Sequence, residues 1–188
     1  NMSRNFNIAT RLWSGIGIVG LSMVVLFGTV AWRTSRLTET NNAAEARIER
    51  ATALAVQWAS LTETNVQRVI GSIVGADNAV GQHFASEIKA TSGKISELQK
   101  EIESVATSDE DKAQLARVAS ARKAYLDARE AAAAARAKGE HESAQQMLKA
   151  SVLPAVAAYL SEQHRFVELQ HRFSTSNRAA FNQARMQS

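Results

Sequence analysis

Five residues stand out by type and spacing: Arg68, Thr91, Arg122, Tyr125 and Arg129. Three of them lie in "ARKAYLDAREAAAAAR", residues 121–136. From Leu115, alternating steps of three and four lead to Val118, Arg122, Tyr125, Arg129 and Ala132, the repeat of a packed helix's inward seam. Two of those six positions are arginines. Arginine stays charged at any ordinary pH, and an inner face without a countercharge is a costly place for it. Helical ion pairs use i±3 or i±4. For Arg68 those positions are Thr64, Asn65, Gly71 and Ser72; for Arg122, Val118, Ala119, Tyr125 and Leu126; for Arg129, Tyr125, Leu126, Ala132 and Ala133. None is a carboxylate, whereas Lys123 on the outer face has Asp127 four residues on. Guanidinium forks hold carboxylates in bidentate fashion, and the hydroxyls of Thr91 and Tyr125 can orient a second carboxylate or a ligand hydroxyl. The set describes a pocket for a small di- or tricarboxylate. In the competing reading, these long side chains reach solvent at the seam edges or meet acids on neighbouring helices.

Other chemistries find little support. The chain has no cysteine, so disulfides, thiolate catalysis and cysteine metal sites are excluded. His83 and His141 fall near the same connections without further soft ligands, and His164 and His171 are seven residues apart on one helix. All four read as solvated or interface histidines, and no metal site is expected. No Ser-His-Asp set, phosphate-cradling glycine loop or paired-acid arrangement appears, so neither an enzyme nor a cofactor is expected. Net charge is +4; apart from Arg4 and Arg11 it is 20 Lys/Arg against 18 Asp/Glu, interspersed. That distribution lacks the concentrated basic face that nucleic acid requires.

Long helices must position the five residues. One proline, 45% apolar residues and alanine-rich stretches argue against a sheet. "GADN" at 75–78 offers a glycine and then Asp77 or Asn78 as a cap. "ATSDED" at 106–111 places Ser108 as an N-cap with Asp111 three residues on, and Gly139 follows the alanine run as a stop. These breaks predict helices over 37–76, 79–106, 109–137 and 141–186, joined by short connections as an antiparallel up-down-up-down four-helix bundle. The seams agree: Leu54, Trp58, Leu61, Asn65 and Arg68 in the first helix; Phe84, Ile88, Thr91, Ile95, Leu98, Ile102 and Val105 in the second. The fourth carries Leu148, Val152, Ala155, Tyr159, Phe166, Leu169 and Phe173. Counted from the end formed by 75–78 and 138–140, Arg68 lies about 13 Å deep, Arg129 about 14 Å, Thr91 about 18 Å, Tyr125 about 20 Å and Arg122 about 24 Å. Three seams therefore turn polar at nearly one level. Arg136 falls near the rim, where solvation is expected. Pro154, inside the fourth helix, should leave the Ala150 carbonyl without its usual partner and kink the helix.

Ahead of the bundle, Leu12–Trp32 contains no charged residue and rises about 31 Å as a helix, matching the hydrocarbon core of a bilayer. Trp13 and Trp32 lie near its ends and Arg11 and Arg33 flank it, as interfacial anchors do. No small-residue cleavage site follows, which favours an uncleaved membrane anchor over a signal peptide. The expected organisation is a short start at 1–11, a transmembrane helix at 12–32 and a bundle domain at 33–188, truncated before a second span. Loop charge does not settle orientation, because long domains translocate largely regardless of it.

This layout resembles the N-terminal sensor half of bacterial methyl-accepting chemotaxis proteins with a four-helix-bundle ligand-binding domain. The resemblance covers essentially the whole chain, with cues in "WASLTETNVQR", "ARKAYLDAR" and "VLPAVAAYLSEQHRFVELQ". It implies a cytoplasmic 1–11, an inner-membrane anchor, a periplasmic bundle, a homodimer through the first and fourth helices, and signalling by a small displacement of the fourth. Arg68 matches the first-helix arginine of receptors for acids, and Arg122, Tyr125 and Arg129 look more like the receptors for citric-acid-cycle acids such as malate and citrate. Chemotaxis as the output is likewise implied by the resemblance. The same bundle can instead feed a histidine kinase or a cyclic-dinucleotide enzyme, or serve as a ligand-free structural module.

Overall fold

One proline in 188 residues leaves few places where a helix must stop, and the chain uses nearly all of its length as helix. The computed structural model describes the backbone of residues 8–75 and 78–186; the side chains of 1–28, 30–38, 41, 76–78, 80–81, 185 and 187–188 lie outside the described set. Helix α1 runs Ile8–Val74, α2 Asn78–Val105 and α3 Asp109–Ala137. The fourth rod consists of α4 (His141–Met147), a π turn (Leu148–Val152) and α5 (Leu153–Met186). The chain divides into two units, 1–44 and 45–188, and the second holds the bundle. Among the described residues no helix is long and apolar enough to cross a membrane. The segment 12–32, expected to span one, is helical in backbone, and all its side chains except Thr29 lie outside the described residues.

The stops follow the local chemistry. Ser108 Oγ accepts from the Asp111 amide at 3.0 Å while the Ser108 amide donates to the Asp111 carboxylate at 3.1 Å, the reciprocal box that starts α3. After Ala137, Gly139 adopts φ +81°, a left-handed conformation in which a side chain is strained, and the Glu140 amide returns to the Ala135 carbonyl. Asp77 and the side chain of Asn78, the expected caps of α2, lie outside the described residues. At Pro154, where a kink is expected, the departure from the α-helix is a widened turn ahead of the ring. The helix widens to a π turn over Leu148–Val152, and the Leu153 amide reaches the Leu148 carbonyl. A widened turn just ahead of the ring gives a residue without an N–H a place in an otherwise continuous rod.

Side-chain bonds between helices establish direction. Arg50 pairs with Glu101, Asn65 Nδ2 donates to Ser92 Oγ, and Arg68 pairs with Glu87, so α1 ascends as α2 descends. Arg122 reaches Gln99 and Ser96 while Arg129 reaches Ser92, reversing direction again between α2 and α3. Gln170 meets Asp111 and Glu162 meets Gln114, placing α5 antiparallel to α3. Gln163 donates to Thr62 and Arg178 pairs with Glu45, closing the ring from α5 back to α1. The bundle within 45–188 is thus up-down-up-down.

Its core takes Trp58, Ile73, Ile95, Ile102, Val118, Val152, Tyr159 and Phe166 from all four rods. Each large side chain so buried contributes about 1.5–3 kcal/mol. Every expected seam residue is buried or half-buried. The fourth rod departs from expectation in one respect: Gln163 and Gln170 are also buried, continuing the heptad between Tyr159, Phe166 and Phe173. Each amide nitrogen meets a partner, Gln163 on Thr62 at 3.1 Å and Gln170 on Asp111 at 2.6 Å, while Gln163 Oε1 is buried without one among the described residues.

Candidate functional site

The five expected residues divide into two groups. Arg68 and Thr91 find each other: the guanidinium donates to Thr91 Oγ1 at 3.1 Å, and its Nε lies 3.0 Å from the Glu87 carboxylate on α2. Arg68 therefore has a countercharge across helices, and its hydrogen bond occupies the Thr91 hydroxyl. Neither residue lines the space that the other three enclose.

Arg122, Tyr125 and Arg129 face that space from α3. Thr62 and Asn65 complete it from α1, Ser92 and Ile95 from α2, and Tyr159 from α5. Steps of four and three residues along α3 keep the trio on one face. Arg122 donates to Gln99 Oε1 at 3.0 Å and Ser96 Oγ at 2.8 Å, with a longer contact of 3.4 Å to the Ser92 carbonyl. Arg129 makes only a 3.4 Å contact to Ser92 Oγ and lies over the Tyr125 ring, 5.7 Å from its centroid. All of these partners are neutral. Among the described residues, neither arginine has a carboxylate partner.

The neutral groups around them are also incompletely used. The hydroxyls of Tyr125 and Tyr159 and Oδ1 of Asn65 are buried with no hydrogen-bond partner among the described residues. Leaving such an atom unpaired costs about 1–3 kcal/mol. The two tyrosine rings stack, centroids 5.9 Å apart and planes 21° from parallel. Burial pushes the Tyr125 pKa above its ordinary value, and the adjacent Arg129 charge opposes that rise. Burial likewise raises Tyr159, against the nearby Thr62 hydroxyl and the Arg122 charge. Both phenols are neutral at physiological pH and able to donate. The space between these groups is about 10 Å³, room for about one water.

Arg136 corrects an expectation. It is only 9% exposed, not solvated at the rim, and donates to the Gly75 carbonyl and His141 Nδ1. His164 lies 3.8 Å from Glu63 across α1 and α5. Among the described residues no three His, Asp or Glu side chains are placed to hold a metal ion.

Besides Thr62, Ser92 and Ile95, sequence reasoning did not assign Tyr159 and Asn65 to the site. Both stood on the inward seams. Their type was legible and their role was not, since an inward tyrosine or asparagine reads first as core packing. Their coincidence with the arginines appears only when four helices are superposed in space.

A family model described as a four helix bundle sensory module for signal transduction matches residues 5–183. No curated protein matches the chain.

Proposed function

Because the chain belongs to the four-helix-bundle sensory modules for signal transduction, a group of chemoreceptor sensor domains rather than enzymes, we propose that it senses a small di- or tricarboxylate. One observation carries this reading: Arg122 and Arg129 line a common space, and every partner they have among the described residues is neutral. A carboxylate between them supplies the missing countercharge. Charge-assisted bonds of this kind are roughly twice as strong as the neutral ones they replace. The Tyr125 and Tyr159 hydroxyls then donate to a second carboxylate or a ligand hydroxyl, and the Asn65 carbonyl oxygen accepts from that hydroxyl. Malate and citrate carry both kinds of group.

Room for one water is too little for a four-carbon diacid. Binding therefore widens the crevice, and the walls that must yield are α3, bearing the arginines, and α5, bearing Tyr159. In this proposal α5 carries the displacement out of the bundle, residues 12–32 anchor the chain in the inner membrane with 33–188 in the periplasm, and two copies pair through the first and fourth helices. Arg68, already neutralised by Glu87, and its partner Thr91 flank the site.

The test is a thermal-shift and calorimetric panel of malate, citrate, succinate and aspartate on the full chain in detergent or nanodiscs. A ligand that binds the folded form stabilises it by RT ln(1 + [L]/Kd). We expect malate or citrate to raise Tm and the rise to shrink in Arg122→Ala. No response to any acid, or an undiminished response in both Arg122→Ala and Arg129→Ala, overturns the assignment.

A further inference from the structure

On the far side of Arg129 from the crevice lies an open chamber of about 650 Å³ between α1, α2 and α3. It shares two wall residues with the crevice, Ser92 and Arg129, and is otherwise distinct from it. A volume of 300–1,000 Å³ is typical of small-molecule sites. Its apolar surface comes from Val69 and Ile73 on α1, Ile88 on α2, and Ala133 and Ala137 on α3. The alanines leave the α3 wall flat, open to a compact apolar body. Lys89, Arg129 and Arg136 supply three cations, and no carboxylate is among the described lining residues. Arg136 is engaged by Gly75 and His141, which leaves Lys89 and Arg129 to receive an anion. Lys89 is exposed and has no acid partner among the described residues.

We propose that this chamber is a second ligand site, taking a monocarboxylate with a compact apolar body. The carboxylate binds Arg129 and Lys89, and the body lies on Ile73, Ile88 and Ala133. The proposal rests on the reading of Arg129 as a carboxylate-binding group. Because one guanidinium cannot serve both spaces fully, the two classes of acid oppose each other: an apolar acid in the chamber draws Arg129 from the crevice and weakens binding of a small diacid. The chain would then report a balance between two kinds of acid.

The test is calorimetry on the full chain in nanodiscs, with benzoate and hexanoate as chamber probes and malate and citrate as crevice probes. We expect one benzoate or hexanoate per chain, and a several-fold weaker diacid affinity at saturating benzoate. Ala133→Trp, which fills the chamber from an exposed helix position, should reduce benzoate affinity at least about tenfold and leave diacid affinity in the absence of benzoate within about threefold. Ala133→Leu provides a milder filling should the tryptophan disturb helicity by circular dichroism. Arg122→Ala should do the reverse, weakening diacid binding at least about tenfold and sparing benzoate. Neither probe binding wild type at millimolar concentration overturns the second site, as does benzoate binding that survives both fillings or is lost in Arg122→Ala. Diacid binding without benzoate binding leaves the crevice reading standing and removes this one. Benzoate binding without diacid binding does the opposite.

Discussion

Tyr125 and Tyr159 stack across the α3–α5 boundary with ring centroids 5.9 Å apart, and neither buried hydroxyl has a hydrogen-bond partner among the described residues. They are the only two tyrosines in the chain. Two unpaired phenols beside two arginines with neutral partners support the proposed ligand site more fully than any single residue does. The same stack joins the arginine-bearing helix to the helix proposed to carry the signal.

Because both phenols belong to this stack, an alkaline absorbance titration reads the site without interference from other tyrosines. Burial raises both pKa values above the ordinary value near 10. With the folded pKa above the unfolded one, the stabilising contribution is complete below about pH 10 and is lost as pH rises through the folded values. Folded chain should therefore ionise above pH 10, while denaturant-unfolded chain ionises near it. Arg129→Ala should move the Tyr125 midpoint higher still, since the opposing positive charge is gone. Midpoints at the unfolded value would refute the burial described.

Removing either crevice arginine should weaken diacid binding by roughly 1.5–3 kcal/mol, about 10- to 150-fold, the range for hydrogen bonds to charged groups. Arg122→Lys should recover little of this, because a point ammonium cannot reproduce a fork that reaches Gln99 and Ser96. Calorimetry on the three variants decides it.

Glu87→Gln separates Arg68 from the crevice pair. The Arg68–Glu87 bridge has its carboxylate 47% exposed, so its loss should cost less than about 1 kcal/mol in stability. Freed of its countercharge, Arg68 adds positive potential next to the crevice, and diacid affinity should rise a few-fold at low salt. A fall in affinity would assign Glu87 a direct part in holding the ligand.

Asp111 is the main polar support at the other end of the bundle. Its carboxylate accepts from the Ser108 amide, the Ser108 hydroxyl and Gln170 Nε2 while nearly fully buried. Asp111→Ala strands the Gln170 amide and dismantles the capping box. Chemical denaturation should show a loss of at least about 2 kcal/mol, whereas Ser108→Ala should cost about 1 kcal/mol. Diacid affinity should be unchanged in Ser108→Ala, since this end lies away from the crevice.

The helical class, the helix breaks near 106 and 137, the Ser108 box and the heptad seams were all legible in the chain, because each depends on neighbours within about four residues. Local spacing also showed that Arg68, Arg122 and Arg129 lack intrahelical acids. What they meet instead is a question of residues tens of positions away. Only the packed bundle gave Arg68 to Glu87, left Arg122 and Arg129 among neutral partners, buried Arg136 against Gly75 and His141, and brought Tyr159 and Asn65 to the crevice. A heptad repeat specifies which face of a helix turns inward. The rotation and axial offset of one rod against another, which place two charges together or apart, are decided by side chains interlocking across all four helices at once.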